Sequence, residues 1–348
     1  MASGVYRIVV RVNCCSSANS DHLAIHVDGN VVAHSFVGNT GYYIASHLHQ
    51  LVPLTAGQVF QIYQQLNSGN LDSNIDNSLF VEAVRWPHCR YTTTTTSSSN
   101  GRKTWNSTLS EDSTLATLSS SQDTLTIRQS GLYRVCVTIN GTSSGANSDY
   151  ISICVDGSNI ARAIVGLNTG HQVASHLHEY VQLEANQNLQ IYQQFNSSNL
   201  PGGQYNSLSL ELVGSDVCRY TTTAQLTNGY KTWDQVLSEE KSLVCLTEGT
   251  KLTVSQPGLY RIVVKVNGCS TSAYSNSDHI AIHVDGTAVA RSFLGLNSTG
   301  QQIACHLHEV IPLRAGQYFQ VYQQFNSSNM NTTADNSLAV EQLQFDLI

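Results

Sequence analysis

Three His-x-His pairs are the residues of this chain best suited to chemistry: His47 and His49, His176 and His178, His306 and His308. On an extended strand, residues i and i+2 share a face about 6.6–6.8 Å apart, close enough for two imidazoles to converge on one ion. Neutral imidazole is a common zinc ligand, and a ring of three histidines is chemically sufficient for a site. The competing reading is that the pairs pack and hydrogen-bond between subunits without metal. Each pair lies in a block that the chain contains three times: YYIASHLHQLVPLTAGQVFQIYQQL at 42–66, HQVASHLHEYVQLEANQNLQIYQQF at 171–195 and QQIACHLHEVIPLRAGQYFQVYQQF at 301–325. Each block is two apolar-alternating runs around an Ala-Gly-Gln or Ala-Asn-Gln break, the pattern of two strands and a turn. Where the outer blocks have Gly57 and Gly316, the middle one has Asn186. Asn is the non-glycine residue that best tolerates a left-handed backbone, so the turn is expected to need positive φ.

Other candidate chemistry is thinner. His22 with His26, and His279 with His283, are spaced i, i+4. On a strand that is about 13 Å, too far for one ion, and a solvated face is expected. Asp21, Asp149 and Asp278 recur before a strand, but one carboxylate per copy is a poor calcium shell, and an Asx turn or strand cap is the favoured role. Gln61, Tyr63 and Gln65, with counterparts around Tyr192 and Tyr322, form an amide-and-aromatic stripe. It could dock sugars, although an ordinary β-surface at a subunit interface is the simpler expectation. Gly141 to Gly145 spell Gly-x-Ser-x-Gly, yet in a hairpin loop and in one copy only, so they do not read as a nucleophile elbow. With no phosphate loop, Cys-x-x-Cys or His-Glu-x-x-His in the chain, a protein without enzymatic activity is expected.

Composition bounds the elements that hold these residues. Of 348 residues, 41% are hydrophobic and only 12% charged, about half the usual charged share. Ser, Thr, Asn and Gln replace the charge, which suits β-surfaces and turns. A net charge of −7 without any Lys/Arg run argues against a nucleic-acid partner. No apolar stretch approaches the roughly 20 residues of a membrane span, so membrane insertion is not expected. Nine cysteines is an odd count, and only Cys89 and Cys218 occupy clearly equivalent positions, so idle buried thiols are expected instead of a disulfide framework. The start, MASGVYRIVV, lacks the regions of a signal peptide, whereas Asn-x-Ser/Thr sequons at Asn106, Asn140, Asn196, Asn297, Asn326 and Asn331 suit a secreted chain.

Gly-x-Tyr-Arg occurs at Gly4, Gly131 and Gly258, each 127 residues after the last. A repeat this long is a whole domain. Tyr6, Ile8, Val10 and Val12 alternate with Arg7 and Arg11, which reads as a half-buried antiparallel strand. Asp28-Gly29, Asp156-Gly157 and Asp285-Gly286 turn hairpins, and Asn-Ser-Leu at 77–79, 206–208 and 336–338 opens the last strand of each copy. A shared preamble, CRYTTTTTSSSNGRKTW at 89–105 and CRYTTTAQLTNGYKTW at 218–233, precedes only the second and third copies. The copies are therefore placed at 1–86, 87–215 and 216–348. The first is expected to lack its opening strands, which a longer chain or another segment would supply. Joints of a few residues, 85–88 and 214–217, require consecutive copies to lie side by side.

The ordered set of Gly-x-Tyr, a Val-Asp-Gly hairpin, a strand ending Leu-x-Ala-Gly-Gln and a closing apolar strand resembles the C1q globular-head domain of the C1q/tumour-necrosis-factor-like jelly rolls. The likeness covers essentially all of copies 2 and 3 and the later two thirds of copy 1. Departures are Ile8, Val135 and Ile262 where the family has aromatics, and Leu79-Phe80-Val81 and its counterparts in the closing strands. The resemblance implies an all-β chain of three tandem antiparallel jelly-roll sandwiches, closed as an intramolecular pseudo-trimer. It also implies that the histidine strand runs near the three-fold axis. All six histidines are then candidate axial binding residues, with His47, His176 and His306 the candidates for zinc. An extracellular recognition role toward a repetitive glycan or protein ligand follows, with a structural or adhesive self-assembling protein as the alternative.

Overall fold

The computed structural model describes residues 2–15, 21–37, 43–65, 77–93, 100–142, 149–165, 172–194, 206–214, 216–226, 228–269, 278–294, 302–325 and 336–343. These residues form 28 strands, all paired antiparallel, and no helix. The fold is all-β, and the same strand pairing recurs three times.

In each copy the first strand (Gly4–Cys15, Gly131–Thr142, Gly258–Cys269) is central to an inner sheet. On one side it pairs along its length with the histidine strand (Tyr43–Leu54, Gln172–Leu183, Gln302–Leu313). On the other it pairs with the closing strand (Ser78–Ala83, Asn206–Val213, Asn336–Leu343). An outer sheet is built on the Asp-Gly hairpin and on the strand after the Ala-Gly-Gln break (Phe60–Gln65, Asn188–Gln194, Tyr318–Gln324). Alternation puts Ile8, Val10 and Val12 of the inner sheet against Leu23, Ile25 and Val27 of the outer, and these bury together as the core of the first sandwich.

The turns obey the backbone chemistry their residues permit. Asp28, Asp156 and Asp285 all have φ of 49°, each followed by a positive-φ glycine, the two-residue turn that matches strand twist. At the second turn Gly57, Asn186 and Gly316 have φ of 91°, 72° and 83°, as the Gly-to-Asn exchange required.

The preamble strands His88–Thr93 and Val217–Thr221 pair with the closing strands of copies 2 and 3, extending each inner sheet to five strands. Among the described residues the inner and outer sheets of copy 1 have three strands each. The difference in cover is large. Leu79 is 53% exposed, whereas its counterparts Leu208 and Leu338 are each 1% exposed.

The expectation that fails is the half-buried first strand. Arg7 and Arg11 are 2% and 1% exposed, because the face they occupy is covered by the neighbouring copies instead of water. Period-2 alternation reports two different environments, and here the second is a polar seam. The thiol expectation agrees with the structure at Cys89, Cys136, Cys218 and Cys305, which are buried and form no disulfide, whereas Cys154 and Cys245 form none but are only half-buried. Cys89 and Cys218 donate to the Asp112 and Glu240 carbonyls.

A Cβ at Gly316 would meet nothing within 4 Å, so Gly316→Ala carries only the cost of its backbone conformation. We expect a loss of about 1–2 kcal/mol in denaturant unfolding; no loss would mean the turn can relax to negative φ.

Candidate functional site on the seam between the copies

The first strand and the histidine strand present alternate residues to a common axis, two residues per layer. Arg7, Arg134 and Arg261 form the first layer with Glu82, Glu211 and Glu341. Arg7 pairs with Glu82 and Glu211, Arg134 with Glu211 and Glu341, and Arg261 with Glu341 and Glu82. The six side chains close into one alternating ring in which every arginine joins its own copy to the next. Burial raises the cost of each charge, and the ring offsets it with opposite charges and charge-assisted bonds. Burial opposes the Glu341 charge, but Arg134 and Arg261 outweigh it and, with the Tyr180 hydroxyl, hold its pKa down at about 2. Glu211 is likewise lowered: burial acts against its charge, and Arg7 and Arg134 prevail.

The next layer holds His49, His178 and His308, opposite Val9, Cys136 and Val263 in the strand register. Their ring centroids are 4.8, 5.3 and 4.9 Å apart. Beyond it lie His47, His176 and His306 in a wider ring, with His47 at 6.5 Å from His176 and 6.4 Å from His306. Burial first, then neighbouring charges where they are close, holds all six imidazoles below their ordinary pKa, so they are neutral at pH 7. In the wider ring Ser292 bonds the His47 Nε2 at 3.2 Å and Ser35 bonds the His176 Nε2 at 3.0 Å, each from a neighbouring copy. Ala163 stands at the corresponding place beside copy 3, and the His306 Nε2 is buried without a partner. A cavity of about 60 Å³ opens at this level, lined by Ser35, His47, His176, Ser292 and His306.

The last layer is three asparagines. Asn13 donates to the Arg291 carbonyl and accepts from the Phe293 N–H. Asn140 does the same with His34 and Phe36, and Asn267 with Arg162 and Ile164. Each amide thus completes backbone bonding of a neighbouring copy, in the rotational order opposite to that of the arginines, so every copy is tied to both of its neighbours. Asn140 is a sequon asparagine, and its buried amide is committed to this seam.

All six candidate histidines therefore reach one axis, and the inner triad, not the wider one named for zinc, makes the tighter group. The residues missed were the arginines, glutamates and asparagines. Their signal was recurrence at the same place in all three copies of a chain otherwise poor in charge. The Tyr63 and Tyr322 stripe lies on the outer sheet, each ring between two histidines: Tyr63 at 5.7 Å from His22 and 5.2 Å from His26, Tyr322 at 6.0 Å from His279 and 5.2 Å from His283. The i, i+4 histidines are bridged by that tyrosine across the strand. Asp21, Asp149 and Asp278 are buried, and their carbonyls accept bonds from Val37, Val165 and Leu294.

No family model matches the chain, and no curated protein matches it. Among solved structures, rabbit GITRL aligns with 38% of the chain and 96% of its own length, at 16% identity and a TM-score of 0.26. PNGF-II aligns with 97% of the chain and 99% of its own length, at 8% identity and a TM-score of 0.27. The tandem CBM51 modules of a family 98 glycoside hydrolase from Streptococcus pneumoniae align with 75% of the chain and 97% of their own, at 10% identity and a TM-score of 0.15.

Glu341 yields a pH prediction. Its pKa is about 2 in the folded chain and 4.5 ordinarily, so the unfolded chain takes up the proton first. Its contribution is complete above pH 4.5 and disappears as the pH falls toward 2, a span of about 3 kcal/mol. Replacing Glu341 by Gln should flatten the plot of urea midpoint against pH across that window; parallel plots for the two proteins would refute it.

Proposed function

We propose that the chain is a non-enzymatic recognition protein. Three C1q-like jelly rolls close covalently into a pseudo-trimer and present three related surfaces to a repetitive glycan or protein ligand. The observation that carries this reading is the closed ring of Arg7, Arg134, Arg261, Glu82, Glu211 and Glu341, which is complete only when all three copies contribute. A protein that commits its charged residues to holding three copies in rotational order gains when its ligand is itself repeated, since linked sites raise avidity by about 10²–10⁴-fold. The outer stripe around Tyr63 and Tyr322, with Tyr63 and Tyr230 partly exposed, supplies aromatic faces of the kind that stack on sugars.

The first experiment is solution mass by light scattering followed by a glycan array. A mass near 37.9 kDa together with binding that strengthens with ligand density supports the reading. Density-independent binding, or none, refutes it.

The self-assembling alternative is favoured by a different observation, the open edges of copy 1. Its closing strand Ser78–Ala83 pairs on one side only among the described residues, whereas its counterparts are covered by preamble strands. Such an edge adds strands. The partner it fits is a preamble-type segment, because Cys89, Tyr91, Trp105, Leu125 and Ile127 fill the same region of copy 2. A peptide spanning residues 88–127 should bind the full chain saturably and raise its melting temperature, and Leu79→Lys should abolish both effects. A peptide that binds neither protein excludes this reading.

A further inference from the structure

We propose that His49, His178 and His308 bind a single zinc-class cation on the axis, one ligand from each copy. The three offer ligand atoms that all lie within 4.8 Å of one another. In a tetrahedral zinc site with Zn–N near 2.0–2.1 Å, imidazole centroids stand about 3.2 Å from the metal, and so about 5 Å from each other. The inner triad, at 4.8, 5.3 and 4.9 Å, has that spacing. The wider triad, with separations of 6.5 and 6.4 Å, does not. Rotation of the inner rings closes the remaining gap to the nitrogen separation of about 3.3 Å that such a site needs.

A second observation is independent of spacing. The His49 Nδ1, His178 Nε2 and His308 Nε2 are buried without a hydrogen-bond partner. His178 and His308 are only 8% and 7% exposed. Leaving a buried polar atom unpaired is costly, and three in one triad are most simply satisfied together by one acceptor of lone pairs. At His49 the other ring nitrogen already faces the Cys136 sulfur at 3.9 Å, a contact that can carry the N–H and leave Nδ1 free to ligate.

The donor set selects the ion. Three neutral imidazoles in a dry setting suit zinc and its borderline neighbours, whereas calcium and magnesium require oxygen ligands. The adjacent ring of three arginines and three glutamates sums to zero charge, so the ion meets no net repulsion from it. Three protein ligands leave a fourth position for water or another donor. Because each ligand comes from a different copy, the ion would act as a pin through the seam.

The test is zinc titration calorimetry on the full chain after chelator dialysis, repeated with cobalt(II) to read the visible band of tetrahedral coordination. The expected result is one equivalent bound at micromolar zinc and a tetrahedral cobalt spectrum. His178→Gln and His308→Gln should each weaken binding by more than the roughly 10–100-fold that changes around a ligand produce. Absence of zinc uptake by the unaltered chain overturns the proposal, whatever the variants do. So does binding that is lost in His47→Gln but kept in His178→Gln, which would move the ion to the wider ring.

Discussion

The closed Arg–Glu ring is the constraint on which the rest of this structure depends. A buried charge without a partner is among the most costly features a fold can carry, and a single buried pair often fails to recover its desolvation. Six charges in strict alternation avoid that outcome, because each arginine lies between two glutamates from different copies. The arrangement cannot be half built. Loss of any one copy takes one of two partners from an arginine and a glutamate in the others, so the copies depend on one another in a way that apolar packing alone would not impose. Neutralised at this layer, the axis can then hold six uncharged imidazoles in the layers beyond.

Covalent linkage lets the three seams differ. In a trimer of identical chains every substitution appears three times, whereas here each seam has its own solution. Arg11 reaches Glu309 between copies 1 and 3, and Lys265 reaches Glu179 between copies 3 and 2. Thr138 and Gln50 occupy the third seam without charge, and Gln50 bonds Ser207 and Arg90 instead. Tyr180 takes the Arg134 Nε, while Leu51 and Val310 leave the Nε of Arg7 and Arg261 unpartnered. Cys136 and Ala163 break the symmetry of the two histidine layers in the same manner. The pseudo-symmetry therefore resides in the backbone and the ion ring, and the side chains around them have diverged.

Copy 1 stands apart for a related reason. Phe60, Ile62 and Val81 are only partly buried where their counterparts in the other two copies are fully buried, and Leu79, on the core face opposite Val10, is uncovered where Leu208 and Leu338 are covered. The closing strand Ser78–Ala83 carries the open edge and also enters the seam, through Glu82 and Ser78.

The local elements of this chain were determined by its sequence. Asp-Gly turns, the positive-φ position at Gly57, Asn186 and Gly316, and apolar alternation act within a few residues, where steric limits and a two-residue period dominate. The threefold recurrence of whole blocks was equally legible. The nature of the second face of each first strand was not. Arg7 and Arg11 alternate with apolar residues just as solvent-facing residues would, and only the packing of three copies turns that face into a buried ring. Which histidine triad is close enough to share an ion was also beyond local reading, since i and i+2 are equivalent along a strand. Their distances across the axis depend on how the copies tilt and approach, and that is set by the ion ring and the asparagine bridges, contacts between residues far apart in the chain.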